Sequence, residues 1–222
     1  MEISADRPAN SHCSVERALP QGWWGKIASM DIRVTELQCI MPIGNIPSVL
    51  TQGILSHEIA ATLKHRSVAM PSMQDRRDIK IVPGGLRLHQ YANLYFHARN
   101  PMLSVRRHEE VCVLRVARQV LQIQGTVITD QNAASNYVRF YAPAQANLLD
   151  FDDIYARDWR HPGDQIREWQ HKSSKCAEVL VPRCVQPDML LGAYVVDDAA
   201  LNSLRQTGFV LPIDVDADFF FR

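Results

Sequence analysis

From Asn93 onward the chain repeats one pattern: short runs rich in β-branched and aromatic residues, each bounded by Gly, Pro, Asn or Asp. "NLYFHA", "EVCVLRV", "TVITD", "AEVLVP", "AYVVD" and "GFVLPIDV" all fit it, and runs of this length and punctuation read as strands. Two polar helices, roughly residues 152–159 and 165–175, are expected between the third and fourth runs. Upstream, residues 45–65 place Ile46, Val49, Leu50, Ile54, Ile59 and Leu63 near helical spacing with a break at Gly53, which reads as a helix, a turn and a second helix. Between that pair and the first strand, "MPSMQDRRDIKIVPGGLRLHQY" reads as a long exposed loop ending in a Pro-Gly-Gly turn, and long loops often carry function. Helices first, then strands with inserted helices, predict an α+β fold with a mostly antiparallel sheet.

A chain of 222 residues, 46% hydrophobic, buries a full core as one large domain. Residues 1–30 mix Pro, Ser, Asn and charge around Trp23-Trp24 and read as a polar extension, leaving residues 31–222 as a single domain. Lys plus Arg equal Asp plus Glu at 24 each, so no global field attracts nucleic acid or a membrane, and any nucleic-acid site must be a local patch. The five cysteines are odd in number and lack the paired spacings of a disulfide framework or zinc site. With no signal peptide or apolar run of membrane length, a cytoplasmic location without membrane contact is expected.

The phosphate loop, the dinucleotide fingerprint, the metalloprotease His pair and the serine-hydrolase elbow are all absent. The spacing of His161, His171, Cys176 and Cys184 fits no common metal site, and none is expected. Cations and aromatics are more informative: Arg76, Arg77 and Lys80 lie in the expected loop, Arg99, Arg106 and Arg107 flank "NPMLS", and Tyr137, Phe140 and Tyr141 surround Arg139. Such clusters are usually solvated charge and core aromatics, yet aromatic platforms beside cations also suit single-stranded nucleic acid. One acid stands out. In "SSKCAEVLVPRCV" a period of two puts Cys176, Glu178 and Leu180 on one strand face and Ala177, Val179 and Val181 on the other. A carboxylate there must be paired, protonated, solvated at an edge or facing a ligand, because burying it alone is costly.

Four stretches, "RRDIKIVPGG", "LYFHARNPML", "TDQNAASNYVRFY" and "AEVLVP", resemble in order and separation the DarT family of DNA ADP-ribosyltransferase toxins. With the weaker "CIMPIGNIPSVLTQGILS", the resemblance spans roughly residues 32–197. It implies a split β-sheet gripping NAD, the ADP-ribose donor, with no metal. It implies Glu178 as catalytic glutamate and Arg77, in preference to its neighbour Arg76, as the arginine that binds NAD and assists proton transfer. Cys39, Ile40, Met41, Ser48 and Ser56 match cofactor-contacting positions, although Cys39-Ile40-Met41 stands where many members have a His-x-Thr triplet. Tyr95, Arg99, Met102, Asn132, Tyr137, Arg139 and Tyr141 are the expected nucleic-acid contacts. The implied substrate is thymidine or guanosine in single-stranded DNA, and the implied partner is a macrodomain antitoxin. The alternatives are transfer to RNA, or an inactive relative that only binds nucleic acid or a partner protein.

Overall fold

The computed structural model describes residues 30–67 and 71–222; residues 1–29, with Trp23-Trp24, lie outside them. The elements, in order, are β1 (Glu36–Pro42), α1 (Ile46–Gln52), β2 (Ile54–Leu55), α2 (His57–Ala60), α3 (Pro71–Asp78), β3 (Tyr91–Tyr95), α4 (Pro101–Val105), β4 (Val111–Ala117), β5 (Val127–Thr129) and β6 (Phe140–Tyr141). There follow α5 (Phe151–Tyr155), α6 (Gln165–Ser174), β7 (Glu178–Pro182), β8 (Cys184–Val185), β9 (Leu190–Val195), α7 (Asp198–Gln206) and β10 (Ile213–Val215). One sheet runs β10-β9-β4-β1-β3-β7-β5-β6 and a small second one pairs β2 with β8. All pairings are antiparallel except β10 with β9. The α+β architecture expected from the strand pattern is the one observed.

Alternation along β7 divides the interior. Ala177, Val179 and Val181 enter the main core with Leu94, Leu114 and Phe151. Cys176 joins Tyr95, Val113, Phe219 and Phe220 on the opposite face, and Leu180 packs there with Leu88 and Tyr91. Val179 and Val181 are fully buried, each worth about 1.5–3 kcal/mol relative to exposure. Side-chain caps start the helices around this sheet: Asn100 Oδ1 accepts from the Met102 and Leu103 amides at α4, and Asp164 Oδ1 accepts from Arg167 N at α6.

Three expectations need correction. Where an exposed loop is expected at residues 70–91, the chain forms α3. Its signal is hidden because Arg77, not an apolar stripe, is its buried contact, while Pro71 opens it and Arg76 and Arg77 sit at its C-terminal end, where cations are favoured. The Pro-Gly-Gly turn does follow, at positive φ for Gly84, closing an Ile81–Arg87 bridge. Second, α1 stops at Gly53, whose φ of 82° suits glycine, and a strand precedes the second helix; a Cβ at Gly53 would lie 2.0 Å from the Val185 carbonyl oxygen. Third, β1, β6, β8, α4 and α7 have no counterpart in the sequence pattern, and the helix expected to reach residue 159 ends at Tyr155. Among the described residues no helix is long and apolar enough to cross a membrane.

Candidate active site

The sheet is nearly two sheets. β1 pairs with β4 at every position from Glu36 to Pro42, but with β3 at one pair alone, Gln38 and Tyr95. That junction is pinned by Gln38, whose Oε1 accepts from Ala98 N at 2.7 Å and whose Nε2 donates to Glu36 Oε1 at 3.1 Å. Beyond it the strands part, and a cleft opens between Cys39–Pro42 on one side and Tyr91 and Asn93 on the other. α1, α2 and α3 close its remaining walls. The cationic and imidazole lining is His57, His65, Arg66 and Arg77, with no Asp or Glu among the described lining residues, so the cleft suits an anion with apolar parts.

Glu178 begins β7 directly opposite Tyr95 and is 1% exposed. Arg77 reaches it from α3, its Nη1 donating to both carboxylate oxygens at 3.1 and 3.0 Å. The third contact comes from the "TDQNAAS" segment, where Ala133 N donates to Glu178 Oε1 at 3.2 Å. Thr129 accepts the Glu178 amide at 2.9 Å and donates to Gln131 O at 2.7 Å, while Asn132 Oδ1 accepts from Ala134 N at 2.8 Å. The distinctive residues of that segment thus bend the backbone so that one N–H faces the acid, and the small side chains of Ala133 and Ala134 are buried beside it. Lys80 Nζ donates to Ser135 O, tying the segment to the end of α3.

α3 is docked by a histidine as well. His89 Nε2 lies 2.9 Å from Gln74 Oε1 and His89 Nδ1 lies 3.3 Å from Asp78 Oδ1, two acceptors one helical turn apart on the Arg77 helix. His57 lies against His89 with ring centroids 4.3 Å apart. Burial lowers the pKa of both imidazoles, helped at His57 by the charge of His89 and opposed at His89 by Asp78. Burial also pushes the Tyr95 phenol up, with Glu178 adding to it.

The expected cofactor residues divide. Cys39, Ile40, Met41, Ser48 and Arg77 line the cleft; the Cys39 thiol is pushed up to about 12 by burial, so it is a neutral wall. Ser56 does not line it: its hydroxyl is buried and caps α2 by accepting from Ile59 N. Arg76 is exposed, and the ion pair with the acid is made by Arg77. Among the expected nucleic-acid contacts, Tyr137 is 86% exposed and Arg139 is exposed beside it, flanking the Ala133 segment. Asn132 shapes that segment. Tyr95 is a correction, because it is buried with Ile40, Ala98 and Cys176 and is no open stacking platform. Tyr141 is half-buried against the main core for the same reason. Met102 packs on the Phe219 cluster. Arg99 lies over the Phe221 ring at 4.3 Å and donates to the carbonyls of Arg157 and Asp218, in a groove shared with Trp159 and Arg160. The sequence reading misses His57, Arg66 and Asn93 in the cleft. Asn93 carried a signal, since Asn is depleted in strand interiors.

The model of the family described as "ssDNA thymidine ADP-ribosyltransferase, DarT" matches residues 39–221. The chain is 30% identical over 205 residues to a DNA ADP-ribosyl transferase–DNA ADP-ribosyl glycohydrolase fusion protein of Thermosipho africanus, covering 85% of this chain and 50% of the fusion. It therefore spans about half the length of that relative. It is also 30% identical over 191 residues to the DNA ADP-ribosyl transferase of Thermus sp. (strain 2.9), covering 78% of this chain and 88% of the relative. The Thermosipho africanus DarTG structure in complex with ADP-ribose superposes with a TM-score of 0.71 at 28% identity, over 84% of this chain and 51% of that one. The Thermus sp. 2.9 DarT structure in complex with ADP-ribosylated ssDNA gives 0.70 at 23% identity, over 86% and 98%.

Proposed function

Because the chain belongs to the DarT family of single-stranded-DNA ADP-ribosyltransferases, we propose that it transfers ADP-ribose from NAD to thymidine in single-stranded DNA and is a toxin held in check by a macrodomain antitoxin. The observation that carries this reading is the ion pair between Glu178, buried at the start of β7, and Arg77, which lines the cleft formed where β1 and β3 separate. The cleft fits the donor: its cations match a diphosphate, and its apolar walls match the rings. NAD supplies the ADP-ribosyl group, and positive charge grows on its nicotinamide ribose as the bond to nicotinamide breaks.

Glu178 is the fixed anion for that charge, and it is oriented beforehand by Arg77 and the Ala133 amide, so little reorganisation is needed during the reaction. Arg77 serves the donor phosphates and holds the acid; as a proton acceptor it is disfavoured by a pKa above about 12 in ordinary surroundings. Tyr137 and Arg139 are exposed beside the acid's supporting loop and suit an unstacked base and its phosphate.

The test is incubation with labelled NAD and single-stranded oligonucleotides, each containing one base type, beside the matching duplexes, RNA and cell protein. Labelling of thymidine oligonucleotides, far faster in single strands, is expected, because unstacking a base from a duplex costs a few kcal/mol. Labelling of guanosine changes the base, labelling of RNA alone changes the target, and labelling of protein alone overturns the nucleic-acid reading. A neutral chain should also show only a moderate salt dependence.

A further inference from the structure

We infer that Asn93 is the residue that selects the donor by its carboxamide, pairing its side-chain amide with that of the nicotinamide ring. The inference rests on NAD being the donor and concerns how the cleft recognises the leaving group. β3 puts Tyr91, Asn93 and Tyr95 on one face. Tyr95 lies opposite Glu178 and Asn93 opposite Leu180. Asn93 is therefore two residues, about 7 Å, along the strand from the level of the acid, a separation comparable to a pyridinium ring with its carboxamide.

It also stands where the sheet opens. Continuing the Gln38–Tyr95 register would set Ile40 across from Asn93, but pairing has ended there, and both residues line the cleft. The surroundings are apolar: Leu88 and Tyr91 line the same cleft, and Leu180 is the cross-strand neighbour.

The side-chain amide of Asn93 forms no hydrogen bond within the described protein, although the residue is half-buried. Other asparagines near the site are engaged: Asn45 bonds both backbone groups of Arg66, Asn100 caps α4 and Asn132 holds its own turn. Only Arg106 Nε is both buried and unpaired among the described side-chain atoms, so the Asn93 amide is reachable from the open cleft and is met there by water or by a ligand. A primary amide has one acceptor and a two-hydrogen donor, so it can pair reciprocally with the carboxamide of nicotinamide, donating to the oxygen and accepting from the nitrogen. None of Cys39, Ile40 and Met41 offers a side chain able to do this.

The experiment is calorimetric titration of the purified chain and of Asn93→Ala with NAD, with the 3-acetylpyridine analogue that lacks the amide nitrogen, and with ADP-ribose. Wild type should bind NAD about tenfold or more tighter than the analogue, as expected for a lost hydrogen bond in a partly dry site. Asn93→Ala should bind the two dinucleotides equally and keep wild-type affinity for ADP-ribose. If Asn93→Ala does not fold, judged by its thermal transition, Asn93→Leu takes its place, filling the same volume without the amide. Retained discrimination in the folded variant, or none in a wild type that binds NAD, overturns the inference while leaving the donor reading intact. Failure of wild type to bind either NAD or ADP-ribose removes the donor reading and the inference with it.

Discussion

Removing the Arg77 guanidinium should unfold the protein more readily than removing the charge it faces. Glu178 is 1% exposed and receives Arg77 Nη1 on both oxygens and Ala133 N on one. In Arg77→Ala the carboxylate keeps a single N–H. Breaking a buried pair from one side costs about 3–5 kcal/mol because the remaining charge is left uncompensated. The surviving Ala133 contact places the expected loss at the lower end, about 3 kcal/mol, or roughly 6–12 °C in Tm for a chain of this size. Glu178→Gln leaves Arg77, which borders the open cleft, where water can solvate it, so a loss of about 1 kcal/mol is expected. The double variant removes both charges and should be more stable than Arg77→Ala alone, giving a coupling energy of about 2 kcal/mol. Urea denaturation of the four proteins measures it, independently of catalysis. Additive losses would refute the claim that the acid's charge is compensated chiefly by Arg77.

Glu178→Gln should lower transfer by about two to three decades, roughly 3–4 kcal/mol, with unchanged circular dichroism; near-native turnover would contradict the electrostatic role. Arg77→Ala should weaken NAD binding while Arg76→Ala leaves it close to wild type, since only Arg77 lines the cleft; a titration in which Arg76→Ala is the more damaging would reverse the assignment. Lys175, fully buried and donating to the Ile154 and Ala156 carbonyls, has its pKa lowered to about 8 by burial. Between that value and about 10.4 in the unfolded chain the unfolded state binds more protons, so this group makes stability rise with pH across the window. Lys175→Met should flatten that rise in denaturation midpoints taken from pH 7 to 10.

What could be read from the sequence was whatever the pattern either obeyed or broke. β3, β4, β5, β7, β9 and β10 announce themselves through their β-branched and aromatic runs and turn residues, whereas the two-residue strands β6 and β8 are too short to do so. Glu178 announces itself as a violation, one acid in an apolar face, and Arg77 lies on that same face of the sheet. α3 stayed hidden because its purpose is to carry one arginine inward; the pair Arg76-Arg77 looks alike in sequence, and only the helix direction separates an exposed side chain from a buried one. Ser56 is ambiguous in sequence because a buried cap and a cleft hydroxyl are the same residue type at the same kind of loop–helix boundary. Asn93 broke the strand pattern just as Glu178 did, but being neutral it costs less to bury and drew no notice.

The opening of the sheet also bears on the triplet Cys39-Ile40-Met41. Because β1 and β3 separate after Gln38 and Tyr95, backbone N–H and C=O groups along both strands face the cleft without a strand partner. Such groups need water or a ligand, and they are supplied by the topology whatever side chains follow. This backbone edge is therefore present whatever side chains Cys39, Ile40 and Met41 carry. The burden of orienting the ring then falls on polar side chains of the opposite wall, and among the described residues of β3 lining the cleft the candidates are Tyr91 and Asn93. The Tyr91 hydroxyl already accepts from Leu86 N at 3.0 Å, and it sits so close to Gly85 that a Cβ there would lie 2.6 Å from it. Tyr91 is thus held by the Pro-Gly-Gly turn that follows α3, whereas the Asn93 side chain keeps both its donor and its acceptor for a ligand.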